Sequence, residues 1–231
     1  MRRYILPLII SLLAVVACAP KQNIDKRFDE GVSKELAEWR KATIHNVEYD
    51  LMFDLVANRG VAGVGFTLEK PQDIIIDFRR TELVTGVRMF DSNESVEYSL
   101  CNEHIVIPES ETRAGRQGFS IDFNVDNQSL NRRDEFLYTL LVPDRARTLF
   151  PCFDQPDMKA HYRLSLAIPE EWEAVSNTPV TTPEYDAEDW YDLDFGHPLP
   201  EGMKIVSFAR TEPLSTYLFS FVAGEFEQRT Y

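Results

Sequence analysis

Four sets of residues in this 231-residue sequence have types and spacings that could do chemistry. Cys101-Asn-Glu-His104 has the offset of a metal-binding pair. It supplies two ligands where a zinc site needs three or four, so a Cys and a His on a strand and its loop is the better reading. Asp186, Glu188, Asp189, Asp192 and Asp194 could suggest calcium or paired catalytic carboxylates. Calcium takes six or more oxygens from a folded loop, and carboxylate catalysis needs a cleft that fixes the separation. The better reading is a solvated acidic loop pinned down by Trp190, Tyr191 and Phe195. Ser176 and Ser215 have no motif that places a His and an acid beside them, so a hydrolytic triad is unsupported. The fourth is Cys18, which follows a basic Arg2-Arg3 start and an apolar run from Ile5 to Val16.

That run is too short to span a bilayer comfortably and ends in small residues, the pattern of a signal peptide. Val15-Val16-Ala17-Cys18 resembles the bacterial lipoprotein cleavage box, in which the Cys becomes the lipidated N-terminus. A plain secretory signal cut near Ala17 is the alternative. The expected organisation is a signal peptide over 1–17, a polar tether over 18–26 and a folded domain over 27–231. Such a protein is held to a membrane of the bacterial cell envelope, on the periplasmic side or facing outward. Two cysteines remain, Cys101 and Cys152, in a compartment that permits disulfides. They could pair, but the apolar setting of Cys152 suits a buried free thiol. A net charge of −14 with no basic cluster excludes nucleic acid as a partner.

The elements that position these residues read as mostly β. A helix is expected over 27–41, with Val32, Leu36 and Trp39 on one face and Lys34 paired to Glu38. From Asn46 the period becomes two: Val47, Tyr49, Leu51, Phe53 and Leu55 face one way, Glu48, Asp50, Met52 and Asp54 the other. Asn58-Arg59-Gly60 marks a turn, and Gly63 and Gly65 in the return strand suggest a bulge or a close backbone approach. Further strand patterns follow at Ile74–Phe78, Leu83–Phe90, Val96–Leu100, His104–Ile107, Phe119–Val125, Phe136–Val142, Tyr162–Ile168, Lys204–Ala209 and Tyr217–Val222, and again from Phe226. Such spacing predicts an all-β fold, an extended saddle or sandwich of mostly antiparallel sheets with one N-terminal helix.

The centre of this plan is the stretch from Ala146 to Ala160. Pro151 and Pro156 each remove a donor and fix φ, so the chain must stop pairing there and start again beyond. Phe150 and Phe153 flank Cys152 and belong in a core. Asp154, two residues before Pro156, can accept local backbone N–H groups and hold a tight turn. Phe150-Pro-Cys-Phe-Asp-Gln-Pro156 resembles a segment in the N-terminal, non-catalytic domain of the M1 zinc aminopeptidases. Trp172-Glu-Ala-Val-Ser-Asn-Thr-Pro179 and Pro213-Leu-Ser-Thr-Tyr-Leu218 are similar to later segments of the same domain.

The resemblance implies removal of peptide N-terminal residues by one zinc, held by H-E-x-x-H and a further Glu in a catalytic domain. The four His here precede Asn46, Ile105, Tyr162 and Pro198, so no H-E-x-x-H exists. No cofactor is therefore expected in this chain itself, and zinc belongs to the parent family. The family's N-terminal domain also receives the substrate's α-ammonium on a Gln, often followed two residues later by Glu or Gln. The matching positions hold Leu140 and Val142, and neither side chain has an acceptor. Either the amine is anchored differently or exopeptidase function is lost; alternatively, both are ordinary strand-core residues and the clamp lies elsewhere. The expected partners are a membrane through the anchor and a catalytic domain or separate partner protein, with peptides possible. The competing readings are a stand-alone lipid-anchored β module that binds peptides or a protein, and a non-functional remnant.

Overall fold

The computed structural model describes residues 25–182, 191 and 195–227. The expected signal peptide, Cys18, Trp190 and the acidic residues Asp186, Glu188, Asp189, Asp192 and Asp194 lie outside the described residues. Helix α1 spans Lys34–Thr43 and leads directly into strand β1 (Ile44–Asp54). There follow β2 (Arg59–Leu68), β3 (Ile74–Asp77), β4 (Val84–Met89), β5 (Ser99–Cys101), β6 (His104–Ile107) and β7 (Gly115–Asn124). The second half contributes β8 (Leu130–Arg132), β9 (Phe136–Thr139), β10 (His161–Pro169), β11 (Glu173–Ser176), β12 (Met203–Phe208) and β13 (Phe221–Gly224).

The strands form three sheets, ordered β12-β10-β1-β2-β7-β4, β11-β13-β9-β8 and β3-β6-β5. All pairs are antiparallel except β1 with β10, whose register sets Glu48 beside His161 and Leu51 beside Leu164. One continuous core takes residues from all three sheets. Phe53 of β1 lies 5.5 Å from Phe221 of β13, joining the six-stranded and four-stranded sheets. Phe78, just past β3, lies 5.3 Å from Phe123 of β7, joining the three-stranded sheet to the first. The mostly antiparallel β architecture with an N-terminal helix is the one expected.

The helix differs from its expected bounds. A 3-10 turn at Lys26–Phe28 comes first, Gly31 then takes a φ of +77°, and the helix proper starts at Lys34. Ser33 caps it, its hydroxyl accepting the Leu36 N–H at 3.1 Å. Val32 therefore lies before the helix. The residues it buries are Leu36 and Arg40, while Trp39 is half-exposed with the Arg27 guanidinium 5.0 Å from its ring. The irregularity expected at Gly63 or Gly65 sits across the ladder, as a bulge between His45 and Glu48 of β1 where Asn46 takes a φ of +52°. Gly63 is a close approach: a Cβ there would meet Phe90 Cε2 at 2.6 Å. Met52 and Asp54 are on the outward face of β1, yet both are buried. A small second core of Met52, Val61, Ala167, Tyr191 and Phe195 covers that end, and Tyr191 donates to Asp54 Oδ2 at 2.5 Å. Tyr191 and Phe195 are thus buried against β1, as expected of two of the three aromatic residues.

The hinge between β9 and β10 is buried through Phe150, Cys152 and Phe153. Cys152 pairs with the end of β3: its N–H reaches Asp77 O at 3.0 Å and its carbonyl accepts Asp77 N–H at 2.8 Å. Phe153 N–H donates to the Tyr49 hydroxyl of β1 at 2.8 Å. Asp154 does hold a turn, but its backbone donor is distant: Oδ2 accepts Arg147 N–H at 3.1 Å and Oδ1 accepts the Thr216 hydroxyl at 2.7 Å.

The charge at the centre of the hinge is Asp77, fully buried at the end of the apolar run Ile74-Ile75-Ile76. Arg40 donates Nη1 to its Oδ2 at 2.8 Å and Nη2 to its Oδ1 at 2.6 Å. Asp154 N–H adds a bond to Oδ2 at 2.9 Å, and His104 Nδ1 lies 2.9 Å from Oδ1. Burial alone would push this carboxyl up; the Arg40 charge and the hydrogen bonds from His104 and Arg40 outweigh it and hold the pKa below the usual value.

Two outcomes follow from this packing. Phe150→Ala removes a ring packed against Tyr49 and Phe219 and should lower the urea-unfolding free energy by about 3–5 kcal/mol, while Leu140→Ala on the surface should change it by under about 0.5 kcal/mol. Asp77→Asn strands the buried Arg40 and should cost about 3–5 kcal/mol at neutral pH. Because the folded pKa of Asp77 is depressed, its contribution is complete above the unfolded carboxyl value of about 3.9 and is lost as pH falls through the folded value. Acid titration of stability should show that limb in the wild type and lose it in Asp77→Asn.

Candidate functional site

Among the described residues, the sequence-selected positions Leu140 and Val142 meet exposed apolar structure beside the outer face of the sheet β11-β13-β9-β8. Along β9 and the residues after it, Leu137, Thr139 and Leu141 point into the core. The alternate positions Phe136, Tyr138, Leu140 and Val142 face out. A sheet with one wet face normally alternates apolar inside with polar outside. Here four consecutive outward positions are apolar, and Leu140 and Val142 are 47% and 54% exposed. Leu140 and Val142 are therefore not strand-core residues.

Neighbouring strands extend this face. The cross-strand register places Val175 of β11 beside Val222 of β13, and Val222 beside Tyr138 of β9. Val175 is 61% exposed. The Phe136 ring lies 6.4 Å from both Tyr138 and Phe226, closing the row at its lower end. A shallow groove of about 720 Å³ runs beside the row, between Val175, Val180, Phe208 and Phe226. Phe226, expected to open a strand, lies just beyond β13 and serves as one wall of this groove. Such a face can exclude water against another apolar surface, with the carboxylates Glu173 and Glu227 at the edge of the groove.

The remaining candidates have structural environments. Cys101 and His104 sit opposite each other in the β5–β6 hairpin, with Asn102 in the left-handed region at a φ of +52° to make the turn. Their separation of three positions is that of a tight hairpin. His104 is turned into the protein, Nδ1 toward Asp77 and Nε2 at 2.8 Å from Asp29 O. Cys101 and Cys152 are both free. Burial, with the charges of Asp154 and Asp77, pushes the Cys152 thiol well above its ordinary pKa, so it is an unreactive core group. Among the described residues no three His, Cys, Asp or Glu are grouped to hold a metal ion. Ser215 donates to Pro156 O at 2.6 Å and Ser176 to Ser220 O at 2.9 Å, both tying together segments distant in sequence. Arg40, which the whole hinge needs, escaped the sequence reading. Its signal was a four-residue spacing from Leu36 that puts a cation on the helix's buried stripe.

Comparison with known proteins places this arrangement. Residues 45–218 match the family model described as the Peptidase M1 N-terminal domain. The chain is 27% identical over 234 residues to glutamyl aminopeptidase of Rattus norvegicus, covering 85% of this chain and 23% of that protein. It is 42% identical over 82 residues to aminopeptidase N of Acetobacter pasteurianus, covering 35% of this chain and 19% of that protein. It thus spans less than a quarter of these curated relatives. An M1 zinc metallopeptidase from Deinococcus radiodurans shares the fold, with a TM-score of 0.60 and 16% identity over 79% of this chain and 42% of that one. With a family model matched from the bulge of β1 to the turn before β13, and the buried Phe-Pro-Cys-Phe hinge at the centre of that match, the chain belongs to the Peptidase M1 N-terminal domain family.

Proposed function

We propose that this domain is the docking platform for a zinc aminopeptidase catalytic domain, on the same polypeptide or a separate one, in a protein anchored to a bacterial envelope membrane through Cys18. The observation that carries the docking reading is the apolar row Val175, Val222, Tyr138 and Phe136, continued by Leu140 and Val142. A chain with a net charge of −14 has ample charged side chains to cover a solvated sheet face, and uses apolar ones here. Covering such area stabilises an interface by roughly 25 cal/mol per Å², so each half-exposed Val or Leu is worth on the order of 1 kcal/mol when a partner seats on it.

The same reading bears on the substrate. Leu140 and Val142 occupy the positions that resemble the family's amine contact, and they lie on this proposed interface. With no acceptor in either side chain, the α-ammonium of a peptide would be held by carboxylates of the catalytic domain alone. Zinc would be bound by that domain and would supply Lewis-acid activation of water. This chain's part is to cover the catalytic domain and to shape one wall of its substrate cavity with aliphatic side chains.

Mixing this chain with the zinc-peptidase domain of an M1 aminopeptidase should give a stable complex on size-exclusion chromatography. The double variant Tyr138→Asp, Val175→Asp should keep wild-type circular dichroism and weaken association at least about tenfold. A double variant that associates as the wild type does would sink the assignment of this face. Complex formation with a non-peptidase partner through the same residues would favour the stand-alone binding module.

A further inference from the structure

We infer that the open half of the six-stranded sheet's outer face holds an anion site that takes the phosphate group of a small molecule. This inference is independent of the docking reading, since it uses another sheet and another surface. The site is a concavity of about 460 Å³ lined by Asn46, Glu48, Thr67, Arg116, Lys159, His161, Arg210 and the aliphatic edge of Val47 and Pro213. Its size falls within the range of small-molecule pockets.

Charge is the first argument. The chain has 24 basic residues against 38 acidic ones, yet three cationic side chains, Arg116, Lys159 and Arg210, converge here around the carboxylate of Glu48. Glu48 accepts from Arg116 and lies 3.8 Å from Arg210 Nη2, too long for a hydrogen bond. Its side chain is only 15% exposed, so it is fixed beneath the cations and holds them apart and in place. The adjacent Asp50 is engaged by Arg163 at 3.1 Å. Lys159 forms no ion pair among the described residues. The cluster therefore retains excess positive charge and unused N–H donors, which is the requirement for a dianionic oxyanion.

Backbone geometry is the second argument. The β1 bulge between His45 and Glu48 falls at this concavity, and Asn46 holds a left-handed conformation there at a φ of +52°. Bulges of this kind re-aim side chains at the rims of sheets. The Asn46 side chain reaches Thr67 Oγ1 at 3.4 Å, setting two neutral hydrogen-bonding groups at the rim. His161 Nδ1 donates to Thr211 O at 2.7 Å, which leaves Nε2 as an acceptor that suits the P–OH of a monohydrogen phosphate. A phosphate seated between Arg210, Lys159 and Arg116 would meet donors on three sides. A free small ligand is favoured over a lipid surface because the positive charge is confined to one concavity on a chain of net charge −14, and a local excess acts only within a Debye length of about 8 Å.

The test is titration of the full chain with inorganic phosphate at constant ionic strength, following the His161 ring resonances by NMR. Saturable shifts in the millimolar range or below are expected, absent with chloride. Arg210→Ala and Lys159→Glu, both at solvent-facing positions, should each weaken binding at least about tenfold with an unchanged circular dichroism spectrum. Unmoved His161 resonances, or equal shifts in the wild type and both variants, would overturn the site. Sedimentation with phosphatidylglycerol vesicles that depends on Lys159 and Arg210, with no response to phosphate, would overturn the small ligand in favour of a membrane surface.

Discussion

A single buried carboxylate ties the parts of this domain together. Asp77 has no water to solvate it, so every oxygen lone pair must be met by protein donors. Those donors come from α1 through Arg40, from β6 through His104 and from the hinge through Asp154 N–H. Three segments distant in sequence are thereby fixed to one point. Arg40 also donates to Ile75 O at 2.7 Å, so the helix grips β3 by its backbone as well. Replacing the whole cluster by apolar residues of equal volume could leave stability unchanged, because ion-pair attraction in the interior is largely offset by desolvation. What the cluster adds is direction: a hydrophobic contact would let the helix slide, whereas a two-pronged guanidinium–carboxylate pair does not.

The hinge converts that fixed point into the arrangement of the sheets. Its prolines prevent a continuous β9–β10 strand, and Cys152 pairs with Asp77 by backbone alone, so the hinge borrows a rung from the three-stranded sheet. The flanking rings then fill the space between layers: Phe150 meets Tyr49 and Phe219, and Phe153 meets Phe66. Tyr49 joins both halves, stacking on Tyr162 at 5.0 Å and accepting Phe153 N–H through its hydroxyl. The three sheets consequently share one core, and their outer faces are left to different uses. The four-stranded sheet turns apolar residues outward. One end of the six-stranded sheet's outer face is covered by Tyr191 and Phe195, and the other carries charged groups around Glu48.

Alternation made the inner residues of β1, β7 and β10 legible, since a period of two admits one assignment of faces when one face must be apolar. It was weaker where both faces are covered. Met52 was assigned outward correctly, but its burial depends on an insertion joined to β1 only in three dimensions. Amphipathic spacing located the helix but not its start, because Gly31 and the Ser33 cap act on single bonds that a periodicity averages over. Leu140 and Val142 show the converse. Their types suggested core, but β9 ends at Thr139, short of the expected Val142, and only the course of the chain beyond it places them on the surface.

By itself the sequence determined the class of fold, the hinge and the absence of an H-E-x-x-H motif, because these depend on residue type and short spacing. Proline cannot pair within a central strand, aromatic rings seek burial, and a missing ligand motif is missing in any conformation. Tertiary structure alone decided that Arg40 and Asp77 meet across 37 positions, that an apolar row runs over β11, β13 and β9, and that Arg116, Lys159 and Arg210 share one concavity. Each of those depends on strand order and register, which are set by the sum of many weak contacts and leave no signature at any one position.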